Sequence, residues 1–355
     1  MRLLEVSDLT VSFPTADGVV RAVRGVSFGV DQGETLGIVG ESGSGKSVAA
    51  MTLLGLSRGA AVSGSVMFEG TELIGLPEPR LRAIRGARIA MVFQDPLSSL
   101  HPLYRVGWQI AETIRAHTDT SRRAAHARAA DLLGMVGIPQ PRRRVDDYPH
   151  EFSGGMRQRV MIAMALALDP KVVIADEPTT ALDATVQAQI LDLLMRLQRE
   201  LGTALVIITH DLGVIAQMAD EVQVMYAGRV VETAARRTAY YHAHHPYTLG
   251  LLASVPSTVG GGRLRPVPGQ PPSPIRLPSG CPFHPRCAYQ MGRCAVEEPE
   301  LMSVAGGAGH RSACWLPPDV VGPGETARIT RLLAAGRSGA AGGTGFGGRH
   351  GRSAA

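Results

Sequence analysis

The first 280 residues of this 355-residue chain contain no cysteine; all four fall between positions 281 and 314. Ordinary packing must therefore hold the bulk of the chain together, and the end of the sequence is chemically distinct. No run reaches the ~18 consecutive apolar residues that a membrane-spanning helix needs. The longest, such as Val160–Leu168, are about half that length and read as buried helix. Met1-Arg2-Leu3-Leu4-Glu5-Val6 lacks the apolar core of a signal peptide. Any membrane role is expected to come through a partner. Aromatic residues make up only 5%, and none alternates with basic residues, although the net charge is +5 and Arg142, Arg143 and Arg144 cluster. A nucleic-acid partner is not expected from that pattern. What remains, 45% hydrophobic and 19% charged residues, is ordinary globular composition, with length for one large domain and a smaller one.

The densest chemical signal is Gly40-Glu41-Ser42-Gly43-Ser44-Gly45-Lys46-Ser47. It follows a strand-like apolar run, Thr35–Val39, and precedes a helix-like one, Val48–Leu54. A glycine loop between strand and helix, closed by Lys-Ser, is a phosphate-binding loop. Its glycines let successive N–H groups curl toward phosphate oxygens, and the following helix aims its positive end at the same anion. Lys46 supplies charge for the β- and γ-phosphates and Ser47 an oxygen for magnesium. The chain is expected to bind a nucleoside triphosphate.

Upstream, residues 3–13 and 19–30 alternate apolar and polar, predicting antiparallel strands with a turn at Thr15–Gly18. Phe13, at the end of the first, is either a ring to stack on adenine or a strand-end core residue. Residues 64–70 and 88–93 read as further strands, the latter ending at Gln94. Segments 105–117 and 121–136 look helical, with Thr120 or Ser121 as N-cap, so a helical segment interrupts an α/β domain. In Phe152-Ser153-Gly154-Gly155-Met156, Ser153 is a good N-cap and the glycines allow close approach to that helix end. Lys171–Ala175 is a β-branched run ending in Asp176-Glu177. Carboxylates at the C-terminal end of a doubly buried strand fall where open α/β sheets bind ligands. Asp176 is the candidate to hold magnesium and Glu177 to polarise a water. A helix is expected from about 184 to 201, then a strand, Ala204–Thr209, ending at His210, a candidate γ-phosphate donor.

Taken in order, the phosphate loop, Gln94, Ser153-Gly154-Gly155-Met156, Asp176-Glu177, Ala181-Leu182-Asp183 and His210 resemble the ATP-binding subunits of ABC transporters over about residues 3–235. Met156 departs from the glutamine more usual in that family, and the peptide-importer branch commonly has methionine there. The resemblance implies an α/β P-loop ABC ATPase fold: a mixed sheet core, an antiparallel β subdomain and a helical insertion at about 95–155. It implies a head-to-tail dimer with a second, homologous ATPase subunit. Ser153, Gly154 and Gly155 would complete the partner's γ-phosphate cage. Gln94 would reach magnesium and the attacking water, Glu177 would be the general base, His210 would fix the γ-phosphate, and Asp183 would signal across the dimer. It further implies ATP and Mg²⁺, two membrane permeases, an extracytoplasmic binding protein, and work at the inner face of the cytoplasmic membrane. Phe93–Pro102, His245-Pro246-Tyr247-Thr248 and Cys281-Pro282-Phe283-His284-Pro285-Arg286-Cys287 resemble the oligopeptide, dipeptide and nickel importers. Peptides are the expected cargo; nickel or another small solute is the rival, and a soluble ABC-type ATPase acting on nucleic acid or ribosomes a more distant one.

Residues 236–330 read as an importer-type C-terminal extension, extended over the domain surface except for a short helix at 246–254. His242, His244 and His245 read as a solvated helix start. Cys281, Cys287, Cys294 and Cys314 lack the paired Cys-x₂-Cys knuckles of zinc modules, and cytosolic thiols stay reduced. Their looser spacing is expected to hold a [4Fe–4S] cluster of structural role, as in similar peptide importers, with zinc or bare thiols as alternatives. Residues 331–355 are Gly/Ala/Arg-rich and expected to be disordered.

Overall fold

The alternation of the first thirty residues is realised as a hairpin. In the computed structural model, which describes residues 2–180, 182–254, 267–304 and 309–317, β1 (Leu4–Thr15) pairs antiparallel with β2 (Gly18–Val30). After them come β3 (Thr35–Val39) and α1 (Lys46–Leu53). Then β4 (Ala61–Phe68) and β5 (Thr71–Glu72) complete an antiparallel sheet of order β2-β1-β4-β5. The chain continues through α2 (Glu78–Ile84) and β6 (Ile89–Val92) into α3 (Pro96–Ser99), α4 (Val106–Arg115), α5 (Arg122–Met135) and α6 (Pro141–Arg144). It returns through α7 (Gly154–Ala165), β7 (Val172–Asp176), α8 (Ala184–Leu201), β8 (Ala204–Thr209), α9 (Leu212–Met218), β9 (Glu221–Tyr226) and β10 (Arg229–Ala235). The C-terminal extension adds α10 (Arg236–Tyr241), α11 (Pro246–Ala253), β11 (Met302–Ser303) and β12 (Arg311–Ser312).

The second sheet has the order β11-β12-β10-β9-β3-β8-β7-β6, with β6, β7, β8, β3 and β9 parallel. Its central strands are apolar throughout because both faces are covered. In β7, Val173 and Ala175 face the helical core while Val172 and Ile174 face the core shared with the antiparallel sheet. The same split places Leu205 and Ile207 of β8 on one side and Val206 and Ile208 on the other. Each such valine, leucine or isoleucine side chain, fully buried, stabilises by about 1.5–3 kcal/mol. The mixed sheet, the antiparallel subdomain and the helical insertion therefore stand as the sequence predicts.

The insertion folds because its apolar positions recur at helical spacing. Ile110 and Ile114 of α4 are buried in one cluster with Ala125, Ala129, Leu132 and Leu133 of α5. Ser121 caps α5, its hydroxyl accepting from Ala124 N at 3.3 Å.

The described residues of the extension hold more regular structure than their composition suggests. Among the described residues two α-helices, not one, follow β10, and β12 pairs with β10 at Glu232↔Ser312, lengthening the main sheet. His244 and His245 are buried, correcting the expectation of a solvated helix start. The reason is Glu232. Its fully buried carboxylate accepts from His244 N at 2.6 Å and His245 N at 3.0 Å, with His310 Nε2 at 2.7 Å. A second tie joins Glu298 to Arg24 at 2.7 Å and Arg229 at 3.1 Å. Ala181 and the tail 331–355 lie outside the described residues.

Candidate functional site

The phosphate-binding loop starts where β3 ends, at the C-terminal edge of the parallel strands, and closes at the N-terminus of α1. Two of its glycines are dictated by close approach. At Gly40 (φ 158°) a Cβ would lie 2.2 Å from Met225 O, and at Gly45 (φ 98°) 2.2 Å from Ala22 O. The curl is wedged between β2 and β9, and no side chain fits there. Gly43 needs glycine only for its φ of 78°, since a Cβ there would meet nothing within 4 Å. Ser42 is exposed, and Ser44 is buried with its N–H donating to Glu41 O at 3.2 Å.

Lys46 is buried, and its Nζ donates to Gly40 O at 2.7 Å, Glu41 O at 2.8 Å and Ser44 Oγ at 3.2 Å. Burial pushes its pKa down, while Glu177, Asp176 and Glu41 pull it up. Ser47 Oγ donates to Asp176 Oδ1 at 3.0 Å. Burial raises the Asp176 carboxyl above the usual range, opposed by the Ser47 hydrogen bond. A hydroxyl and a carboxylate joined in this way are a hard-oxygen pair suited to a divalent cation such as Mg²⁺.

Glu177 follows β7 with φ 46°, a left-handed conformation that costs energy for a residue with a side chain. Its N–H donates to Ile208 O at 2.8 Å, fixing the turn. Its half-buried carboxylate then gathers three partners. Gln94 Nε2 donates at 3.0 Å and Thr180 Oγ1 at 2.7 Å, and His210 Nδ1 lies at 3.3 Å. The three residues singled out for catalysis in the sequence thus meet at one carboxylate. Thr180 is a fourth that the sequence reading missed.

Ser153, Gly154 and Gly155 stand apart from this cluster. Ser153 caps α7, its hydroxyl accepting from Met156 N at 3.3 Å, and is exposed with Gly154. A Cβ at Gly155 would sit 2.5 Å from Val186 Cγ1, so that glycine lets α7 pack on the start of α8. At Gly154 the nearest atom to a Cβ is Leu182 Cδ2, 3.9 Å away, leaving its surface open. Asp183 caps α8, accepting from Thr185 N at 3.1 Å and Val186 N at 3.0 Å. Phe13 is partly buried against the core of the antiparallel sheet, paired in register with Val20.

Residues 23–180 match the family model of the ABC transporter, and residues 231–294 that of the oligopeptide/dipeptide transporter C-terminal region. The oligopeptide transport ATP-binding protein OppD of Bacillus subtilis is 51% identical over 320 residues, spanning 89% of each chain. The dipeptide transport ATP-binding protein DppD of the same organism is 47% identical over 319 residues, spanning 89% of this chain and 95% of that one. This chain belongs to the ABC transporter family. A solved ATP-binding cassette, a dimer in a post-hydrolysis state bound to ADP and Pi, superposes with a TM-score of 0.60. It is 29% identical and covers 66% of this chain and 99% of its own. The ABC ATPase hydrolyses ATP, with Mg²⁺ as its metal, and couples that reaction to transport. Among the described residues no helix is long and apolar enough to cross a membrane.

The cysteines correct an expectation. Cys281, Cys287, Cys294 and Cys314 line one small cavity, together with His245, Phe283, His284 and Trp315. All four are free thiols, yet among the described residues no group of three or more His, Cys, Asp or Glu side chains is placed to hold a metal ion. Burial pushes Cys281 up to about 11 and Cys314 to about 12, and raises Cys287 as well. Burial thus disfavours the thiolate that a cluster ligand must become. Cys281 and Cys287 pack against the main core and Cys294 is buried. They act as small apolar side chains under the extension, and the [4Fe–4S] reading is withdrawn.

Proposed function

We propose that this protein is the ATP-hydrolysing subunit that powers import of oligopeptides or dipeptides across the cytoplasmic membrane. The observation that carries the reading is the match of residues 231–294 to the peptide-transporter C-terminal region, in a chain about half identical to peptide-transport ATP-binding proteins over nearly its whole length. Residues 1–235 are assigned as the nucleotide-binding domain, with its helical insertion at about 95–155, and 236–330 as the importer extension.

In this reading Lys46 neutralises the β- and γ-phosphates, and the loop amides from Gly40 to Gly45 surround them. Ser47, Asp176 and Gln94 hold Mg²⁺, which when bound offsets the phosphate charge. Glu177 takes a proton from the attacking water; Gln94 orients that water, and His210 donates to the γ-phosphate. Phe13 offers a face to the adenine. Ser153, Gly154, Gly155 and Asp183 act across a dimer with a second, homologous ATPase subunit, which the exposed, open surface at Ser153 and Gly154 supports. Two permeases and an extracytoplasmic binding protein complete the importer, and the chain sits peripherally on the inner face of the membrane. An exposed apolar face on the insertion, at Leu97, Leu103, Tyr104 and Trp108, supports the permease contact.

The test is reconstitution of the chain with its co-expressed permeases and second ATPase subunit in proteoliposomes. Uptake of a labelled oligopeptide that depends on ATP and on the binding protein is expected. Nickel uptake without peptide uptake would overturn the cargo assignment.

A further inference from the structure

Glu41 occupies an awkward position: it puts a carboxylate in a loop built to surround phosphate. Coulomb repulsion between that carboxylate and a bound polyanion opposes binding unless the charge is turned away and offset. In this chain the C-terminal extension does both. Arg286, in the short 3₁₀ turn His284–Arg286, reaches back across 245 residues of sequence. Its Nη1 donates to Glu41 Oε2 at 2.7 Å and its Nη2 to Glu41 Oε1 at 2.9 Å. The fork is itself held: Nε donates to Pro268 O at 2.7 Å, Nη1 to Tyr226 OH at 3.3 Å, and the guanidinium lies over the Tyr226 and Phe283 rings at 5.7 and 5.8 Å. The Arg286 side chain is only 5% exposed.

The extension also grips the backbone of the same residue. Glu41 N–H donates to Tyr247 OH at 2.8 Å. Tyr247 is fully buried, with its ring 4.6 Å from Tyr226 and 5.4 Å from Phe283. The Glu41 carbonyl accepts from Lys46 Nζ and from Ser44 N. One residue therefore joins three things: a carboxylate held by Arg286, an N–H held by Tyr247, and a carbonyl that helps set the position of the phosphate-binding lysine. Glu41 adjoins Gly40, where the loop already touches β9.

We propose that Arg286 and Tyr247 are positioning residues for ATP binding, holding Glu41 and with it the curl of residues 40–46, so that the extension sets the nucleotide affinity of the domain beneath it. The inference rests on the assignment of residues 40–47 as the phosphate loop. A bidentate guanidinium–carboxylate pair fixes orientation as well as charge, and a loop held in its binding form avoids ordering cost when the ligand arrives. Lysine in place of Arg286 keeps the charge but loses the fork.

The experiment compares the purified full-length chain with Arg286→Lys, Glu41→Gln, the double variant and Tyr247→Phe. It measures the Kd for ATP, KM, kcat and the thermal midpoint. Arg286→Lys and Tyr247→Phe are each expected to weaken ATP binding by about three- to ten-fold, with kcat at saturating ATP little changed; Glu41→Gln, inside the loop, is expected to weaken binding to a similar extent. The double variant is expected to be no weaker than the worse single one, because the two groups act as one unit. Tyr247→Phe keeps the ring packing, so its loss of affinity separates the hydrogen bond from general destabilisation. Variants with a lowered thermal midpoint but wild-type Kd and KM would overturn the proposal and leave the pair as a fastening. So would full additivity in the double variant. Failure of the wild-type chain to bind ATP at all would instead remove the phosphate-loop assignment itself.

Discussion

At the scale of single residues, the site is a set of side chains whose backbones leave them little choice. Glu177 holds a positive φ and three polar partners, so its carboxylate is oriented before any water reaches it. Glu177→Gln keeps the shape but removes the proposed base. ATP turnover should fall by about 10²–10⁴-fold while ATP binding persists, read by phosphate release and nucleotide binding on the same preparation. The loop glycines make a graded prediction. Gly45→Ala combines φ 98° with a backbone oxygen 2.2 Å from the new Cβ, whereas Gly43→Ala has φ 78° and no neighbour within 4 Å. The second should cost about 1 kcal/mol of stability. The first should cost about 3 kcal/mol or more, because the strand carrying Ala22 cannot retreat. Thermal unfolding of the two variants checks the order. Most of this was legible beforehand, since Lys46, Ser47, Asp176 and Glu177 follow sequence-local rules of strand, turn and helix. Thr180 and Arg286 were not, because their partners are set by tertiary packing and nothing in their local sequence names a carboxylate.

At the scale of elements, the strands and the inserted helices could be read from periodicity, and most boundaries fall within a few residues of expectation. The extension could not. β11 and β12 are two residues each, too short to carry a period, and His244 and His245 look polar until Glu232 is known to lie beneath them. Burial lowers His245 to about 4; Glu232 raises it and His244 lowers it. A depressed folded-state value means that the unfolded chain takes up the proton first. The stabilisation is complete above about pH 6.5 and is lost as pH falls from there toward 4, by something on the order of 2 kcal/mol. His245 also caps α11, its Nδ1 accepting from Tyr247 N at 3.1 Å. His245→Asn should preserve the cap and abolish this share of the acid sensitivity. Thermal midpoints taken from pH 7.5 to 4.5 should converge for the two proteins as the pH falls; parallel curves would show that His245 does not titrate in this way. Glu232→Ala, which leaves His310 and two buried N–H groups without their acceptor, should cost about 3–5 kcal/mol, measured by denaturant unfolding.

At the scale of the whole molecule, two groups of side chains face outward where the proposed partner subunits would bind. The α7 end, with Ser153 and Gly154, offers an open helix N-terminus. The insertion, in contrast, offers apolar surface. Of the nine exposed large hydrophobic residues among those described, Phe93, Leu97, Leu103, Tyr104 and Trp108 all lie within sixteen residues of sequence. Tyr104 and Trp108 stack at 4.3 Å, giving the patch a continuous aromatic face. Beside it Arg105, Glu112, Arg115, Arg122, His126 and Asp146 line a groove with Trp108, an arrangement of apolar centre and charged rim that suits a protein helix end. Gln94, two residues before α3, also touches Glu177, so under the proposed function this face lies one hydrogen bond from the proposed base. Replacing Tyr104 and Trp108 together by serine should leave ATP binding by the purified chain unchanged within about two-fold and its fold intact, since both rings are exposed. In the reconstituted importer the same variant should lose peptide uptake and stimulation of ATPase activity by the binding protein. Retained uptake would move the permease contact elsewhere on the chain, whereas lost uptake with lost ATP binding would mean that the substitutions had damaged the domain itself.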